Sequence, residues 1–441
     1  MRKLVDVALR REPGIIRALF FVAPFVTLLA PKTTVPALIL LFAGCVGLAL
    51  AHGQRPKSLF QFDVIVALLA AAAVYLFVNA SWSLDPSRAV GKAVWFTLVA
   101  AMSFGAWRAI ASWERPQIQI ATTAFLAGLA VGVAIILFEA ATGRFLTISL
   151  YNLLPFTRPE SVKALVIKDG DVFRIAAFEL NRNVTVMLLT LWPALLCLAV
   201  RGGQQTRLLR LAALFLGVLV SVFLSTHESS KVGILLSVIV FAVALAWPVF
   251  ARRAVLAGWC LAFILVVPLA TLAYKAELHQ ADWLPYSAST RVTLWAYTAE
   301  QVPEAPFLGI GATSTRKMDL DREDRQKPNQ RQNSNDDFGW RAGPHAHNVF
   351  LQTWYELGAV GAVLFMVAGA AVIVSVGRLP RASQAYMLAH IAAFVMILAF
   401  AWGLWQSWLM ALAGLAALYA ALAVSLTRAD AVAALPQSPD N

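Results

Sequence analysis

The run TVPALILLFAGCVGLALA, residues 34–51, contains no charged side chain. A helix of this length crosses a hydrocarbon layer of roughly 30 Å. Comparable runs fill most of the 441-residue chain, which is 60% apolar and only 14% charged. We count twelve, near residues 15–31, 34–51, 62–79, 90–109, 119–139, 183–201, 207–225, 231–250, 253–273, 348–377, 383–400 and 403–427. The sequence therefore predicts an all-α polytopic membrane protein with about twelve transmembrane helices.

Arginine and lysine orient these spans. The basic start of the chain has no small-residue cleavage site behind it, so we expect a retained first helix and a cytoplasmic N-terminus. Alternation from there puts the short basic loops inside and two long polar connections, 140–182 and 274–347, on the periplasmic side of a bacterial inner membrane. The predicted parts are spans one to nine within 1–273, the large loop 274–347, spans ten to twelve within 348–427, and a cytoplasmic tail, 428–441, without regular structure.

The outer loops carry about half of the 36 lysine and arginine residues, which opposes the usual orientation signal. Membrane lipids and an anionic partner outside are therefore expected, whereas no nucleic acid is. The third loop has a cationic excess, which suits either a lipid pyrophosphate or plain headgroup anchoring. Its basic residues are Arg144, Arg158, Lys163, Lys168, Arg174 and Arg182. The stretch 316–341 mixes bases, acids and amides, and we interpret it as a solvated, mobile loop.

The segment GPHAHNVFLQTWYELGAVG, residues 343–361, leads from the outer loop into the tenth span. Gly343 and Pro344 break the chain, so the helix should begin close to His347 or Asn348. The positive end of the helix dipole keeps a histidine there neutral and attracts phosphate. Glu356 would lie inside the bilayer, where it must be paired or functional.

Three interpretations of His345 and His347 remain open at this stage. They are structural histidines at a helix start, a metal pair with Asp336 or Asp337, or a general base beside an anion site. The H-x-H spacing is common, and no further metal ligand is fixed on a regular element.

Two more segments place cations at outer helix starts. In SASTRVTLWAYTAEQVPEAPFLGIG, residues 287–311, Ser289 or Thr290 is predicted to cap a helix with Arg291 in its first turn. A cation gains nothing from the helix dipole there, which favours a ligand-facing role. In LSTHESSKVG, residues 224–233, Lys231 either extends to the interface or contacts phosphate.

Several classes of chemistry lack their sequence signals. The chain has no phosphate-binding loop, dinucleotide fingerprint or HExxH motif, so an outward-facing transferase would need a donor that is already activated, and no cofactor is expected. Its three cysteines lie in predicted spans, so no metal or disulfide framework is indicated. A transporter or flippase is the alternative class, but the ionisable residues and broken helices it would need at mid-bilayer are few.

Three motifs, taken in order, resemble the O-antigen ligase superfamily. HAHNVFLQTWYELGAVG is similar to its H-N-x-x-L, x-E-x-G-x-x-G signature, and TRVTLWAYTAEQVPEAPFLGIG to G-R-x-x-x-W followed by P-x-x-G-x-G, with Thr290 in place of glycine. FRIAAFELNRNVTVMLL, from Phe173, resembles its arginine followed by an Asn-rich helix entry. Where the family usually has S-R-G, this chain has Lys231, which keeps the charge but not the bidentate fork.

This resemblance implies a GT-C-like glycosyltransferase that ligates glycan from undecaprenyl pyrophosphate to lipid A-core, by inversion and without metal. O-linked protein oligosaccharyltransferases and O-antigen polymerases are its related alternatives. Carried over by position, His347 would be the base, Arg291 would hold the pyrophosphate and His345 would assist. The further candidates for pyrophosphate binding are Lys231, Arg174, Arg182, Arg88 and Lys92.

Overall fold

The computed structural model describes residues 2–61, 63–158, 164–201, 203–321 and 343–433. Within them it has sixteen α-helices and one two-stranded sheet. The helices are α1 Arg2–Leu29, α2 Thr34–Ala51, α3 Pro56–Leu59, α4 Val64–Asn79, α5 Pro86–Ala111, α6 Arg115–Ala141, α7 Phe145–Leu153, α8 Asn181–Ala199, α9 Gln204–Leu224, α10 Glu228–Ala246, α11 Pro248–Lys275, α12 Tyr286–Gln301, α13 Ser314–Asp321, α14 Val349–Ser375, α15 Arg381–Phe400 and α16 Ser407–Ala433. The strands are β1 Leu165–Lys168 and β2 Asp171–Ile175.

Twelve helices in the described ranges are long and apolar enough to cross a membrane: α1, α2, α4, α5, α6, α8, α9, α10, α11, α14, α15 and α16. They correspond one to one with the twelve predicted spans. The all-α, polytopic prediction is therefore confirmed, and the chain is a multi-pass membrane protein.

Two spans form the centre of the bundle. Almost every residue of α8 is buried, as is most of α16, and the two helices pack against each other. Neighbouring helices therefore surround these two spans on nearly all sides. Phe125 of α6 stacks on Tyr419 of α16 with ring centroids 4.4 Å apart. These central helices hold the ends of the other spans at fixed positions.

The span α14 is broken at Gly358, whose backbone adopts φ 64° and ψ −166°. The preceding loop fills the break: Ala359 N donates to Pro306 O at 2.9 Å, and Ile310 N donates to Tyr355 O at 3.0 Å. A Cβ on Gly358 would lie 2.4 Å from the carbonyl of Phe307, so the close approach requires glycine. The sequence showed few signs of broken helices, and this one was not predicted.

Tyr75 and Asn79 of α4 also contact this junction between the broken span and the loop 306–311, which we call the interlock. The Tyr75 hydroxyl donates to Leu357 O at 2.7 Å, and the Asn79 amide donates to Leu308 O at 3.0 Å and accepts from Ala312 N at 2.6 Å. The backbone groups freed by the break are thus paired within the protein, which a lipid surrounding demands. Gly309 and Gly311 of the motif at 287–311, and Gly358 of the motif at 343–361, therefore have a structural role.

The long connections contain more structure than their composition indicated. The segment 140–182 holds α7 and an antiparallel hairpin of β1 and β2, which departs from a purely helical protein. Glu139, at the end of α6, accepts hydrogen bonds from Leu146 N and from the Thr147 backbone and hydroxyl, and so fixes the start of α7. Residues 316–321 belong to α13, so the predicted loop 316–341 begins as a helix, and its positions 322–341 lie outside the described residues.

The predicted cap of α12 is wrong. The helix begins at Tyr286 after Pro285, and the hydroxyls of Ser289 and Thr290 donate to the Tyr286 carbonyl inside it. Arg291 therefore lies in the second turn, not the first. Proline fits at the start of a helix because its φ is fixed near the helical value, and Pro285 directly precedes α12. The signal from Pro285 therefore outweighed the one from Ser289 and Thr290.

Candidate active site

His347 occupies an unusual backbone conformation just before α14. Its φ is 51°, in the left-handed region that a side chain rarely adopts. Asn348 follows as the cap, with its side-chain oxygen accepting from Leu351 N at 3.0 Å, and the helix begins at Val349. The predicted helix start is thus confirmed. The left-handed residue turns the imidazole away from the helix axis toward the segment 401–406, which joins α15 to α16.

The hydrogen bond of His347 defines its tautomer. Nδ1 lies 2.9 Å from the Ala401 carbonyl oxygen, and since a carbonyl only accepts, Nδ1 carries the proton. The lone pair of the neutral ring is therefore on Nε2. Burial, followed by the neighbouring His345 and by Arg291, lowers the pKa of His347 to about 3, although the Ala401 hydrogen bond acts in the other direction. The ring is neutral at physiological pH.

His345 lies against His347, with ring centroids 4.0 Å apart. Trp408 Nε1 donates to the side-chain oxygen of Gln406 at 2.7 Å, so the Gln406 nitrogen faces His345 Nε2, 3.2 Å away, and donates to it. The proton of His345 must then be on Nδ1, which is buried without a hydrogen-bond partner among the described residues. Burial lowers the pKa of His345 to about 4. An unused donor thus lies beside the His347 ring.

Arg291 reaches this pair from α12. Trp295, one turn further along α12, donates from Nε1 to Ala346 O at 2.8 Å and so holds the helix against the histidine segment. The guanidinium is partly buried, and burial lowers its pKa. Arg291 also acts on the pKa values of His345, His347 and His227. In the described part of the chain it has neither a hydrogen bond nor an ion pair.

His227 and Trp402 also belong to this candidate site, and neither was predicted from the sequence. His227 Nδ1 lies 2.6 Å from Ser230 Oγ, and its ring stacks obliquely on Trp402 at 5.6 Å. Burial and then Arg291 lower the pKa of His227 to about 3. The Arg182 guanidinium lies 5.6 Å from the Trp402 ring centroid, and its buried Nε has no partner in the described ranges. Trp402 thus connects Arg182 to the histidines.

A second group of cations lies near Ser407, which directly follows the segment 401–406. Lys92 of α5 donates to Ser407 Oγ at 2.8 Å, and Arg88 and Arg316 are its charged neighbours. Arg316 is a charged neighbour of both Lys92 and His345. From the sequence, Arg316 was expected to lie in a solvated loop.

Other candidate cations are engaged elsewhere. Lys231 pairs with Glu228 at 2.8 Å in the first turn of α10. Arg174 is exposed on β2, Arg158 donates to the carbonyls of Tyr151 and Gly170, and Lys168 lies over the Phe173 ring. Lys163 lies outside the described residues. Arg291 is therefore a charged neighbour of the histidines, and Arg182 and His227 both contact Trp402. Lys92 and its neighbour Arg88 lie near Ser407, whereas Lys231 pairs within its own segment and Arg174 is exposed.

Glu356 ties the surrounding elements together. It is completely buried, and its carboxylate accepts from Thr313 N at 3.0 Å, from Thr315 N at 3.2 Å and from Trp405 Nε1. The expected pairing of this acid inside the bilayer is confirmed. One side chain of α14 therefore holds both the start of α13, which carries Arg316, and the segment 401–406.

Metal binding was one interpretation of the two histidines. Across the described ranges, no group of three or more His, Cys, Asp and Glu side chains could hold a metal ion. Asp336 and Asp337, the predicted partners, lie outside the described residues. Among the described residues, the ring nitrogens of His347 and His345 bond to the Ala401 carbonyl and the Gln406 amide, and the charge of the neighbouring Arg291 disfavours a metal cation.

Fold and site together define a multi-pass membrane protein with a cationic, histidine-bearing site at one end of its helix bundle. Comparison with known proteins shows what this chain is similar to. Residues 213–366, from α9 into α14, match the family model described as O-Antigen ligase. The matched segment contains His227, Arg291 and His347, but it ends before the segment 401–406.

Two curated relatives are each named as a "Putative polysaccharide ligase". The protein of Rickettsia felis is 26% identical over 195 residues, which is 43% of this chain and 44% of that protein. The protein of Rickettsia conorii is 23% identical over 238 residues, 53% of this chain and 55% of that protein. The chain thus spans about half the length of the curated relatives it matches. These matches support its assignment to the O-antigen ligase superfamily and confirm the resemblance that the sequence motifs indicated.

Proposed function

We propose that this protein is a glycosyltransferase that ligates O-antigen from undecaprenyl pyrophosphate to lipid A-core at the periplasmic face of a bacterial inner membrane. Both termini would then lie in the cytoplasm, as the basic loops predict. The observation that carries the proposal is the pairing of a neutral His347, whose Nε2 lone pair is available, with an Arg291 that lacks an anionic partner among the described residues.

The tautomer of His347 supports a role as general base. The Ala401 carbonyl holds the proton on Nδ1, so Nε2 can accept one from an acceptor hydroxyl. The buried Nδ1–H of His345 lies beside it and could donate a hydrogen bond to an oxygen of the acceptor substrate or of the lipid-linked donor substrate. A positioned base of this kind contributes about 10²–10⁴-fold to a rate.

The cations support a pyrophosphate leaving group. Arg291 is a charged neighbour of His347, and Arg182 lies over Trp402. Lys92, whose charged neighbours are Arg88 and Arg316, bonds to Ser407. Guanidinium groups bind phosphate oxygens in pairs, and charge stabilisation is strongest where water is excluded. A pyrophosphate placed between the two groups would offset the repulsion among these cations.

The step balances without an external energy source. The acceptor oxygen would attack the anomeric carbon as His347 Nε2 takes its proton, and the bond from that carbon to the pyrophosphate oxygen would break. The electron pair leaves with undecaprenyl pyrophosphate, which the cations stabilise, and the proton on His347 is later lost to water. A single displacement inverts the anomeric configuration, as the family resemblance implies.

Transfer with purified full-length protein tests the proposal. The assay combines lipid-linked O-antigen with lipid A-core or with a protein acceptor, in the presence of chelator, and measures the product and its anomeric configuration. We expect an inverted lipid A-core product, and a loss of about 10²–10⁴-fold in His347→Ala. His279→Gln is the matched control, because His279 stacks on Tyr274 outside the site.

Each other outcome has a definite meaning. Normal transfer by His347→Ala would refute the base, and a retained configuration would indicate a covalent intermediate. Loss of transfer with chelator would contradict a metal-independent reaction. Product on the protein alone would favour an O-linked oligosaccharyltransferase, and extension of the lipid-linked glycan would favour a polymerase.

A further inference from the structure

A groove of about 480 Å³ lies between α1 and α6, beside the residues that follow α8. Two arginines, Arg17 and Arg201, line it. Between them its wall is mostly apolar and includes Phe21, Ile120 and Ala127. A cavity with two fixed positive charges and an apolar floor has the two chemical parts of a phospholipid.

The groove lies at the end of the bundle opposite His347. Helix α8 starts beside the site, where Arg182 lies over Trp402, and its 19 residues end before Arg201. At 1.5 Å per residue, Arg201 is about 28 Å from that start. The C-terminal end of α1 also lies on the His347 side, since Asn183 donates to Leu28 O at 2.6 Å. Arg17, twelve residues earlier in α1, is thus about 18 Å away from that end.

The acids near this end of the bundle leave the two arginines uncompensated. Glu12 accepts hydrogen bonds from Gln117 and bonds to His52 at 3.0 Å, and Glu114 caps its own helix, α6. Within the described residues, neither Arg17 nor Arg201 has an ion pair with an acid. Arg17 lies within the span α1, and Arg201 follows the end of the span α8, so each requires an anionic partner or access to water.

We propose that this groove binds an anionic glycerophospholipid, with its phosphate between Arg17 and Arg201. One acyl chain lies along Phe21, Ile120 and Ala127. Basic pockets between transmembrane helices bind lipid phosphates in this way, and the guanidinium fork matches two phosphate oxygens. The apolar wall selects a lipid over a free anion, because phosphate alone leaves that surface exposed. The site is separate from the proposed transfer site and does not depend on it.

Lipid retention measures this binding. Full-length protein is reconstituted in phosphatidylcholine vesicles containing a minor fraction of phosphatidylglycerol, extracted, and examined for bound lipid by native mass spectrometry. We expect wild-type protein to retain phosphatidylglycerol selectively. Each of Arg17→Gln and Arg201→Gln should weaken its affinity about fivefold, and the double variant about 25-fold, since one surface arginine contributes about 1 kcal/mol.

Two further variants separate the charge from the groove. Arg210→Gln removes an exposed arginine of α9 that does not line the groove, and it should bind lipid as the wild type does. Ala127→Phe fills the groove without changing its charge, and it should also lose the lipid. All variants should elute as single species, because the altered side chains are exposed or partly exposed.

The proposal fails if the double arginine variant retains phosphatidylglycerol like the wild type, or if Arg210→Gln loses it equally. Retention by Ala127→Phe would overturn the groove as the binding place. Displacement of the lipid by millimolar inorganic phosphate would show a simple anion site and would equally refute a lipid site.

Discussion

Replacing Glu356 by Gln changes the hydrogen-bonding capacity of the buried side chain that ties together the elements around the proposed site, without changing its size. The carboxylate accepts two hydrogen bonds at Oε2, from Thr313 N and Trp405 Nε1, and one at Oε1, from Thr315 N. An amide has one oxygen, so at least one of these donors would face an NH₂ group. A buried donor left without an acceptor costs about 1–3 kcal/mol.

This cost should appear both in stability and in rate. The thermal unfolding midpoint of Glu356→Gln in detergent should fall. The segment 401–406, which supplies the Ala401 carbonyl to His347, should lose part of its fixed geometry. A displacement of about 1 Å at a reacting group can cost about 10²-fold in rate, so we expect a loss in kcat of up to that size with a smaller change in KM.

The matched control is Glu304→Gln, because Glu304 is exposed just after α12 and carries no such bonds among the described residues. It should unfold and transfer as the wild type does. If Glu356→Gln also keeps both the unfolding midpoint and the kcat of the wild type, then Glu356 does not position the site, and the hydrogen bonds assigned to it carry no function.

Three further predictions concern the site and the broken span. Arg291→Gln should lower kcat/KM for lipid-linked donor by about 10²-fold or more, and Arg291→Lys should recover only part of it because the fork is lost; equal activity of all three proteins would contradict pyrophosphate binding there. Since the pKa of His347 is lowered to about 3, the base stays deprotonated as the pH falls through 6.5, and kcat/KM should not decline there. A decline centred near pH 6.5 would refute the buried environment of His347. Gly358→Ala should lower the unfolding midpoint because its Cβ would lie 2.4 Å from Phe307 backbone atoms, whereas Gly258→Ala, with nothing within 4 Å, should not; similar midpoints would contradict the interlock.

The sequence was sufficient for the spans and for the start of α14, since both depend on local signals. Uninterrupted apolar runs have one structural solution in lipid. The pair Gly343 and Pro344, followed by Asn348, marks a helix boundary by local backbone chemistry. The residue order alone therefore places His347 beside a helix start.

The rest of the site depends on contacts between segments distant in sequence. Nothing in the run AWGLWQ, residues 401–406, shows that its Ala401 carbonyl fixes the tautomer of His347 or that Trp402 lies between Arg182 and His227. A tryptophan-rich, uncharged end of a span is typical of interface anchoring, so its composition gave no sign of a site. The break at Gly358 was also missed, because the loop that fills it, residues 306–311, lies more than forty residues earlier in the chain.

The broken span also has a consequence for how the protein is made. Until residues 306–311 and Asn79 occupy the break, the backbone groups around Gly358 have no partners in hydrocarbon, where each unsatisfied group costs several kcal/mol. Both partners precede α14 in the chain, so they have left the ribosome before the span that needs them. We therefore expect α14 to integrate poorly as an isolated hydrophobic segment and to depend on the earlier part of the chain for insertion.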